Sequence, residues 1–212
     1  LIINLIKSKF LFGPSTTEED KALLRAFAAE HGLAIVEGLV TAGIPVGSPS
    51  FINTHLTEAF SNIHEVIALV SRAASAALLH HRHTVMGIYK ILRYCLSAPK
   101  VNHYLRALPR ESLAPFLPTY DRAMFTVTAL LATLSAPYSD PLTNTGSISM
   151  ARAQLAPRLG GLGTSSACAT HPAQRMGHIA LVSNIITSII PGFNPNLHAK
   201  STFPDLHHRK TP

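Results

Sequence analysis

A cluster of histidines is the first feature of the sequence whose residue types and spacing could do chemistry. His80 and His83, with His81 between them, are three residues apart, so both would lie on one face of a helix and could bind a metal ion. No carboxylate or cysteine completes such a site nearby, and a solvated or phosphate-facing cluster is the more frequent arrangement. His64-Glu65 begins the zinc-protease pattern His-Glu-x-x-His, but its fifth position is Ala68. The sequence therefore predicts no metal site.

The strongest chemical signal is a basic segment, residues 66–110. It contains seven Lys and Arg and no Asp or Glu, whereas residues 1–65 contain four basic and seven acidic residues. The formal net charge of the whole chain is +7, which this one segment equals. Such a block is typical of a surface that faces a polyanion, most often nucleic acid. The alternative is a solvated helix face in a basic protein.

Composition limits the class of protein. The chain has 212 residues, which corresponds to one domain or two small lobes. Apolar residues make up 47%, enough for a sizeable core. Charged residues make up only 14%, below the usual ~25%, which predicts that some faces are covered by a partner, a second lobe or a parent chain.

The cysteines and the termini bear on the compartment. Two cysteines, Cys95 and Cys168, cannot form a disulfide framework, which favours a reducing compartment. The first residues, from Leu1, have neither the basic start nor the cleavage site of a signal peptide, and we expect them to begin inside a core element. The longest apolar stretch, residues 179–193, is too interrupted to span a membrane. We therefore expect an intracellular protein, cytoplasmic or nuclear, that is not secreted and has no membrane partner.

The patterns along the chain predict a mainly α protein with a small α/β part at its N-terminus. Alternating and turn-rich sequence predicts strands around residues 8–12 and 33–46, separated by a capped helix that ends near Glu30, with Gly38 dividing a hairpin. Helical periodicity begins at Phe51. The predicted helices are a long one from Phe51, then 77–96, 101–107, 118–134 and 172–190, with a loop over 136–148. The predicted domains are 1–50, 51–135 and 136–190, followed by a frayed tail, 191–212.

Four short motifs resemble reverse transcriptases of the non-LTR retrotransposon type, in the same order along the chain. The first, Asn4-Leu5-Ile6-Lys7-Ser8-Lys9-Phe10, is similar to the segment after the catalytic Asp pair. The second, Ala42-Gly43-Ile44-Pro45-Val46-Gly47-Ser48, resembles the primer-grip turn, although Ala42 stands where Leu is usual. The third, residues 91–95 with 102–109, resembles the helices after the palm. The fourth, Pro157-Arg158-Leu159-Gly160-Gly161-Leu162-Gly163, resembles a downstream Gly-rich turn.

The resemblance implies the edge of a polymerase palm followed by a helical thumb. The Asp pair that binds the catalytic metals would lie upstream of Leu1, so Mg²⁺ is expected for the full-length parent and no cofactor for this fragment, which alone should be inactive. Lys7 would protonate the leaving pyrophosphate or stabilise its charge, the alternative being a surface lysine at a strand edge. The primer grip would be Gly43, Ile44, Pro45, Val46 and Gly47, whose glycines let the backbone approach the primer phosphates.

The thumb would grip a template–primer duplex of RNA and DNA, beside the palm and fingers of the parent chain. If residues 77–96 form one helix, Arg82, Tyr89 and Arg93 share a stripe, because eleven residues make about three turns. The predicted nucleic-acid contacts are Arg82, Tyr89, Lys90, Arg93, Lys100 and Arg106. Tyr94, Cys95 and Leu96 are expected in the core.

Two other functions remain open on the sequence. One is a non-enzymatic helical module that binds nucleic acid through the basic segment, with the motif matches arising by chance. The other is a helical protein-interaction module whose charge-poor face takes a partner.

Overall fold

Helices form most of the chain in a computed structural model that describes residues 9–13, 16–80, 82–135, 138–190 and 194. All strands in the described residues lie before residue 48. The prediction of a mainly α protein with a small sheet region near its N-terminus is confirmed. The contacts divide the chain into two compact units, Leu1–Ala59 (the N-terminal unit) and Phe60–Pro212 (the helical unit).

In the N-terminal unit, the described residues before Ser48 form two small sheets and one short helix. Strand β1 (Lys9–Phe10) pairs in parallel with β2 (Ala34–Ile35), and helix α1 (Glu18–Glu30) connects them. Thr17 caps α1, since its hydroxyl accepts the Asp20 N–H at 3.1 Å, and three acidic residues in the first turn complement the helix dipole. Strands β3 (Gly38–Thr41) and β4 (Ile44–Gly47) form an antiparallel hairpin.

Helix α2 (Pro49–His80) begins directly after the hairpin and crosses the boundary between the two units. Ser48 caps it, because the Ser48 hydroxyl accepts the Phe51 N–H at 3.2 Å. Leu56, Phe60, Ile63 and Ile67 of its predicted period are buried, each less than 5% exposed, and Ile52 and Val70 are half-buried. The periodic pattern therefore identified the buried face of this helix correctly.

Aromatic packing forms the centre of the helical unit. The Phe60 ring stacks on Phe116, with centroids 5.1 Å apart, and meets the Tyr120 ring edge-on at 6.2 Å. Burying side chains of this size contributes about 1.5–3 kcal/mol each. Fully buried aliphatic side chains complete this core; they are Leu92, Val101, Leu105, Leu113 and Val127.

The helices after α2 are α3 (Val85–Ile91), α4 (Ala98–Ala107), α5 (Arg110–Leu113), α6 (Leu117–Leu131), α7 (Asn144–Gln154) and α8 (Ala167–Ile189). A 3₁₀ turn (Arg82–Thr84) precedes α3, a π-helical turn (Leu92–Leu96) follows it, and a second 3₁₀ turn (Pro157–Leu159) follows α7. Helix α8 packs against α4 and α6, and α7 packs against α6. No helix within the described ranges is long and apolar enough to cross a membrane.

The prediction of one continuous helix over residues 77–96 is wrong. Helix α2 continues to His80, and the 3₁₀ turn separates it from α3. The reason is visible in the sequence, because residues 80–84 are His-His-Arg-His-Thr and offer no apolar side chain to hold an α-helical turn against the core. Arg82 therefore does not share a helical stripe with Tyr89 and Arg93.

Two other element boundaries also differ from the prediction. Helix α7 begins at Asn144, inside the predicted loop, because the Thr143 hydroxyl caps it by accepting the Gly146 N–H at 2.9 Å. Helix α8 begins at Ala167 rather than near Pro172, which lies inside it. The predicted tail, 191–212, lies outside the described residues apart from residue 194, and the predicted domain boundaries remain predictions.

Candidate nucleic-acid interface

The predicted primer grip forms the turn and second strand of the β3–β4 hairpin. The two turn residues, Ala42 and Gly43, have φ angles of 50° and 80°. Two successive positive φ values are the mark of a type I′ turn, whose twist matches that of the paired strands. The hairpin therefore turns at Ala42-Gly43, and Gly38, predicted to divide it, lies in β3 opposite Gly47.

Gly47 closes the hairpin at a point where two backbones come very close. A Cβ at this position would lie 2.4 Å from both the Glu37 carbonyl oxygen and the Gly38 Cα, and its φ is 154°. Between the two glycines, Ile44 is half-buried, Pro45 is fully buried and Val46 is 44% exposed. Pro45 fixes the strand in the core, while the Gly43 end of the turn is exposed.

A cleft of about 680 Å³ lies within the N-terminal unit beside this hairpin. Its basic side chains already have partners. The Lys21 ammonium lies 2.6 Å from Glu18, and the Arg25 guanidinium lies over the Phe12 ring at 5.6 Å. Glu37 also lines the cleft. We therefore assign no polyanion site here.

Two residues of the predicted stripe, Tyr89 on α3 and Arg93 in the π-helical turn, contact the Gly-rich turn of residues 160–163. The Tyr89 hydroxyl donates to the Leu162 carbonyl. A Cβ on Gly163 would lie 2.9 Å from a terminal nitrogen of Arg93, so the guanidinium fills the space that a side chain there would need. Tyr89 and Arg93 are both half-buried. These two predicted nucleic-acid contacts thus have partners within the chain.

The Gly-rich turn itself offers no cradle for a phosphate. From Gly160 to Thr164 each backbone N–H already donates to a carbonyl, for example Leu162 to Ala153 at 3.0 Å and Gly163 to Leu155 at 2.8 Å. An anion site of the nest type needs free N–H groups. The turn therefore packs against α3 and carries no ligand chemistry of its own.

Three predicted contacts remain open to solvent: Lys90 on α3, and Lys100 and Arg106 on α4. In the described part of the chain none of the three forms an ion pair. The basic segment contains no acid that could neutralise them. The Arg82 backbone lies in the 3₁₀ turn, and its side chain is outside the described set. Of the six predicted contacts, Lys90, Lys100 and Arg106 are thus the ones that are described as both exposed and unpaired.

The π-helical turn exposes a side chain that the sequence placed in the core. The Ser97 N–H donates to the Leu92 carbonyl at 2.9 Å, five residues back. The regular ladder cannot continue here, because Pro99 has no N–H. Tyr94 is 59% exposed and Cys95 is exposed, whereas Leu96 is buried. The prediction that all three are core residues is wrong for Tyr94 and Cys95.

The N-terminus of α8 is capped by an acid from a different helix. The buried carboxylate of Asp121, on α6, accepts the Ala167 N–H at 2.8 Å, the Cys168 N–H at 3.1 Å and the Ser166 hydroxyl at 2.7 Å. A carboxylate there also complements the helix dipole. Burial, with the nearby Asp121 charge, raises the pKa of the Cys168 thiol to about 12, so this cysteine is not a thiolate nucleophile at neutral pH.

Two basic side chains of α8 donate hydrogen bonds to carbonyls at the C-terminal end of α4. The His171 ring donates from Nε2 to the Leu108 carbonyl at 3.2 Å, and the Arg175 guanidinium donates to the Ala107 carbonyl at 2.9 Å. Carbonyls at the end of a helix have no partner within it, so α8 satisfies the end of α4. Burial lowers the pKa of His171, which is therefore neutral at pH 7.

We expect the stability of the helical unit to fall as the pH drops below about 6.5. The folded state resists protonation of His171, so the unfolded chain binds more protons between the ordinary pKa and the lowered one. The free energy of unfolding should be level above that range and decrease by up to about 1.4 kcal/mol per pH unit within it. Urea unfolding at pH 7.5, 6.0 and 5.0 measures this. His171→Gln keeps an N–H donor without a titration, and an unchanged pH slope in that variant would contradict the assignment.

The sequence did not identify three side chains that connect α8 to α4 and α6: Asp121, His171 and Arg175. One signal was available, since Asp121 is the only acid in the predicted helix 118–134. A lone acid in such a helix is a candidate for a buried cap. His171 and Arg175 left no comparable signal, because their partners are backbone carbonyls far away in the sequence.

Two other sequence predictions concern chemistry. Lys7 lies outside the described residues. Within the part of the chain that the structure describes, no group of three or more His, Cys, Asp or Glu could hold a metal ion.

Comparisons with protein-family models, with curated proteins and with solved structures found no match in any of the three. The geometry alone therefore defines the class of protein: a mainly helical chain with a tight hairpin in its N-terminal unit and exposed, unpaired cations in its helical unit.

Proposed function

We propose that this chain is the template–primer-binding part of an RNA-directed DNA polymerase, with a primer-grip hairpin followed by a helical thumb. The order of elements supports the proposal. A type I′ hairpin at the primer-grip motif is followed without a gap by a long helix, and the basic helices come after it. The palm and fingers of the parent chain would supply the catalytic acids, in an intracellular compartment.

The observation that carries the proposal is the exposure of Lys90, Lys100 and Arg106 in a segment without a single acid. Unpaired cations on a helical surface attract phosphates and release the counterions condensed on a nucleic acid. An A-form duplex is held mainly by its shape, its 2′-hydroxyls and its phosphates, which suits such a surface. The expected activity is duplex binding with little sequence preference.

Replacing Lys90, Lys100 and Arg106 by Gln should weaken binding to an RNA–DNA duplex and reduce its salt dependence. Each lost phosphate contact removes roughly 0.7–0.9 from the slope of log K against log salt concentration, so the triple variant should lose about two to three units. Fluorescence anisotropy of a labelled duplex at several salt concentrations measures both effects.

The matched control replaces Arg122, Arg152 and Arg158 by Gln. These three arginines are also exposed and lie in the helical unit, but outside the basic segment. The control carries the same change in net charge and should keep most of the slope. Equal losses in both variants would show diffuse attraction to a basic protein, and no binding by the unaltered chain would refute the proposed function.

A second candidate function is a helical protein-interaction module, and one observation favours it. Leu181, Ile185 and Ile189 are spaced by four residues on α8 and are 79%, 60% and 71% exposed. Such a row of apolar side chains on one helix face suits a partner helix. The duplex titration separates the two candidates, because this one requires no affinity for nucleic acid.

A further inference from the structure

Tyr94 is a large aromatic side chain that the π-helical turn presents to solvent. Of its surface, 59% is exposed, although the first and last residues of this turn, Leu92 and Leu96, are buried. The Ser97 N–H closes the turn by donating to the Leu92 carbonyl, and the two buried leucines anchor the turn in the helical unit. Tyr94 is therefore held by the backbone at a fixed place on the surface.

The Arg93 guanidinium lies over one face of the Tyr94 ring, 5.0 Å from its centroid. The same guanidinium occupies the space beside Gly163, as a Cβ there would lie 2.9 Å from its nitrogen. The Arg93 guanidinium thus lies between the Gly-rich turn and the Tyr94 ring. A ring supported in this way is pre-ordered and loses little freedom when a ligand stacks on it.

The charge around the ring selects an anionic ligand. Exposed Lys90 lies four residues before Tyr94, and the segment of residues 66–110 that contains both has no Asp or Glu. A protein partner that covered this ring would have to be acidic. A nucleotide supplies a planar ring and a negative charge together, which matches the pair of Tyr94 and Lys90.

We propose that Tyr94 stacks on an unpaired nucleobase next to the duplex, with Lys90 beside the phosphate of that nucleotide. The inference rests on the proposed function and adds a preference for a single-stranded extension. Bases inside an A-form duplex show only their edges, so a stacking ring needs an unpaired base. The cations bind the phosphate backbone of any nucleic acid, whereas Tyr94 adds affinity only when a single-stranded extension is present.

The test compares a blunt RNA–DNA duplex with the same duplex carrying a single-stranded extension of a few nucleotides. Tyr94→Ala should weaken binding to the extended substrate about tenfold and leave the blunt duplex within roughly twofold, since stacking on an aromatic side chain is a sizeable contribution per base. Tyr94→Phe keeps the ring and should bind both substrates as the unaltered chain does. Tyr138→Ala removes another exposed tyrosine and should change neither affinity.

The possible outcomes separate a failure of the stacking from a failure of the proposed function. If the unaltered chain binds neither substrate, both the proposed function and the stacking fail. If it binds both but Tyr94→Ala changes neither affinity, or lowers both equally, only the stacking is overturned. A 2-aminopurine in the extension gives an independent readout, because its fluorescence should be quenched by the unaltered chain and by Tyr94→Phe but not by Tyr94→Ala.

Discussion

Asp121→Ala should lower the free energy of unfolding of the helical unit by about 3–5 kcal/mol. The substitution removes the acceptor of the buried Ala167 N–H and Ser166 hydroxyl and of the part-buried Cys168 N–H. Each unsatisfied buried donor costs about 1–3 kcal/mol, and a domain is stable by only about 5–15 kcal/mol. Urea unfolding followed by circular dichroism at pH 7 measures the loss.

A second acid provides the control for this variant. Asp140 is exposed, and its carboxylate accepts the Leu142 N–H at 2.9 Å in a loop. Asp140→Ala should cost less than about 1 kcal/mol, because water can replace an exposed acceptor. Asp121→Asn, which keeps an acceptor oxygen but loses the charge, should lie between the two. If the two alanine variants are equally stable, the capping role of Asp121 is wrong.

Gly47→Ala should disrupt the β3–β4 hairpin and cost about 3 kcal/mol in the N-terminal unit. The added Cβ would meet only backbone atoms, the Glu37 carbonyl oxygen and the Gly38 Cα, each at 2.4 Å. Backbone cannot rotate away as a side chain can, so the two strands must separate. Hydrogen exchange of the amides in β3 and β4 should show the loss of protection directly.

Gly32→Ala is the matched variant in the same unit. Gly32 has a φ of 64°, but no atom lies within 4 Å of the position that a Cβ would take. Its substitution should therefore cost only the backbone strain, about 1 kcal/mol, and leave hairpin protection intact. Equal effects from the two variants would show that the close approach at Gly47 is not what fixes the hairpin.

Local chemistry in the sequence determined much of this fold. Thr17 and the acids after it placed the start of α1, and the period of Phe60, Ile63 and Ile67 placed the buried face of α2. Both signals lie within a few residues of the structure that they specify. The excess of cations in residues 66–110 likewise needed no tertiary information.

The remaining features depend on contacts between residues far apart in the chain. The start of α8 has a local cap, since the Ser166 hydroxyl accepts the Ala169 N–H, but the acid that accepts its first N–H groups, Asp121, lies 45 residues before Ser166. Tyr89 and Arg93 looked like surface contacts because their partners, in the Gly-rich turn, lie about 70 residues later. Periodicity describes which face of a helix is used, but it cannot say which distant element covers that face.

The two-ended role of α8 has a consequence for synthesis of the chain on the ribosome. Helices α4 and α6 are complete in sequence by residue 131, yet the carbonyls that end α4 and the carboxylate of Asp121 obtain their partners only from residues 166–175. Until α8 has left the exit tunnel, these groups lack the partners that they have in the folded helical unit. Residues 166–175 thus supply the last hydrogen-bond partners that α4 and α6 require in the folded helical unit.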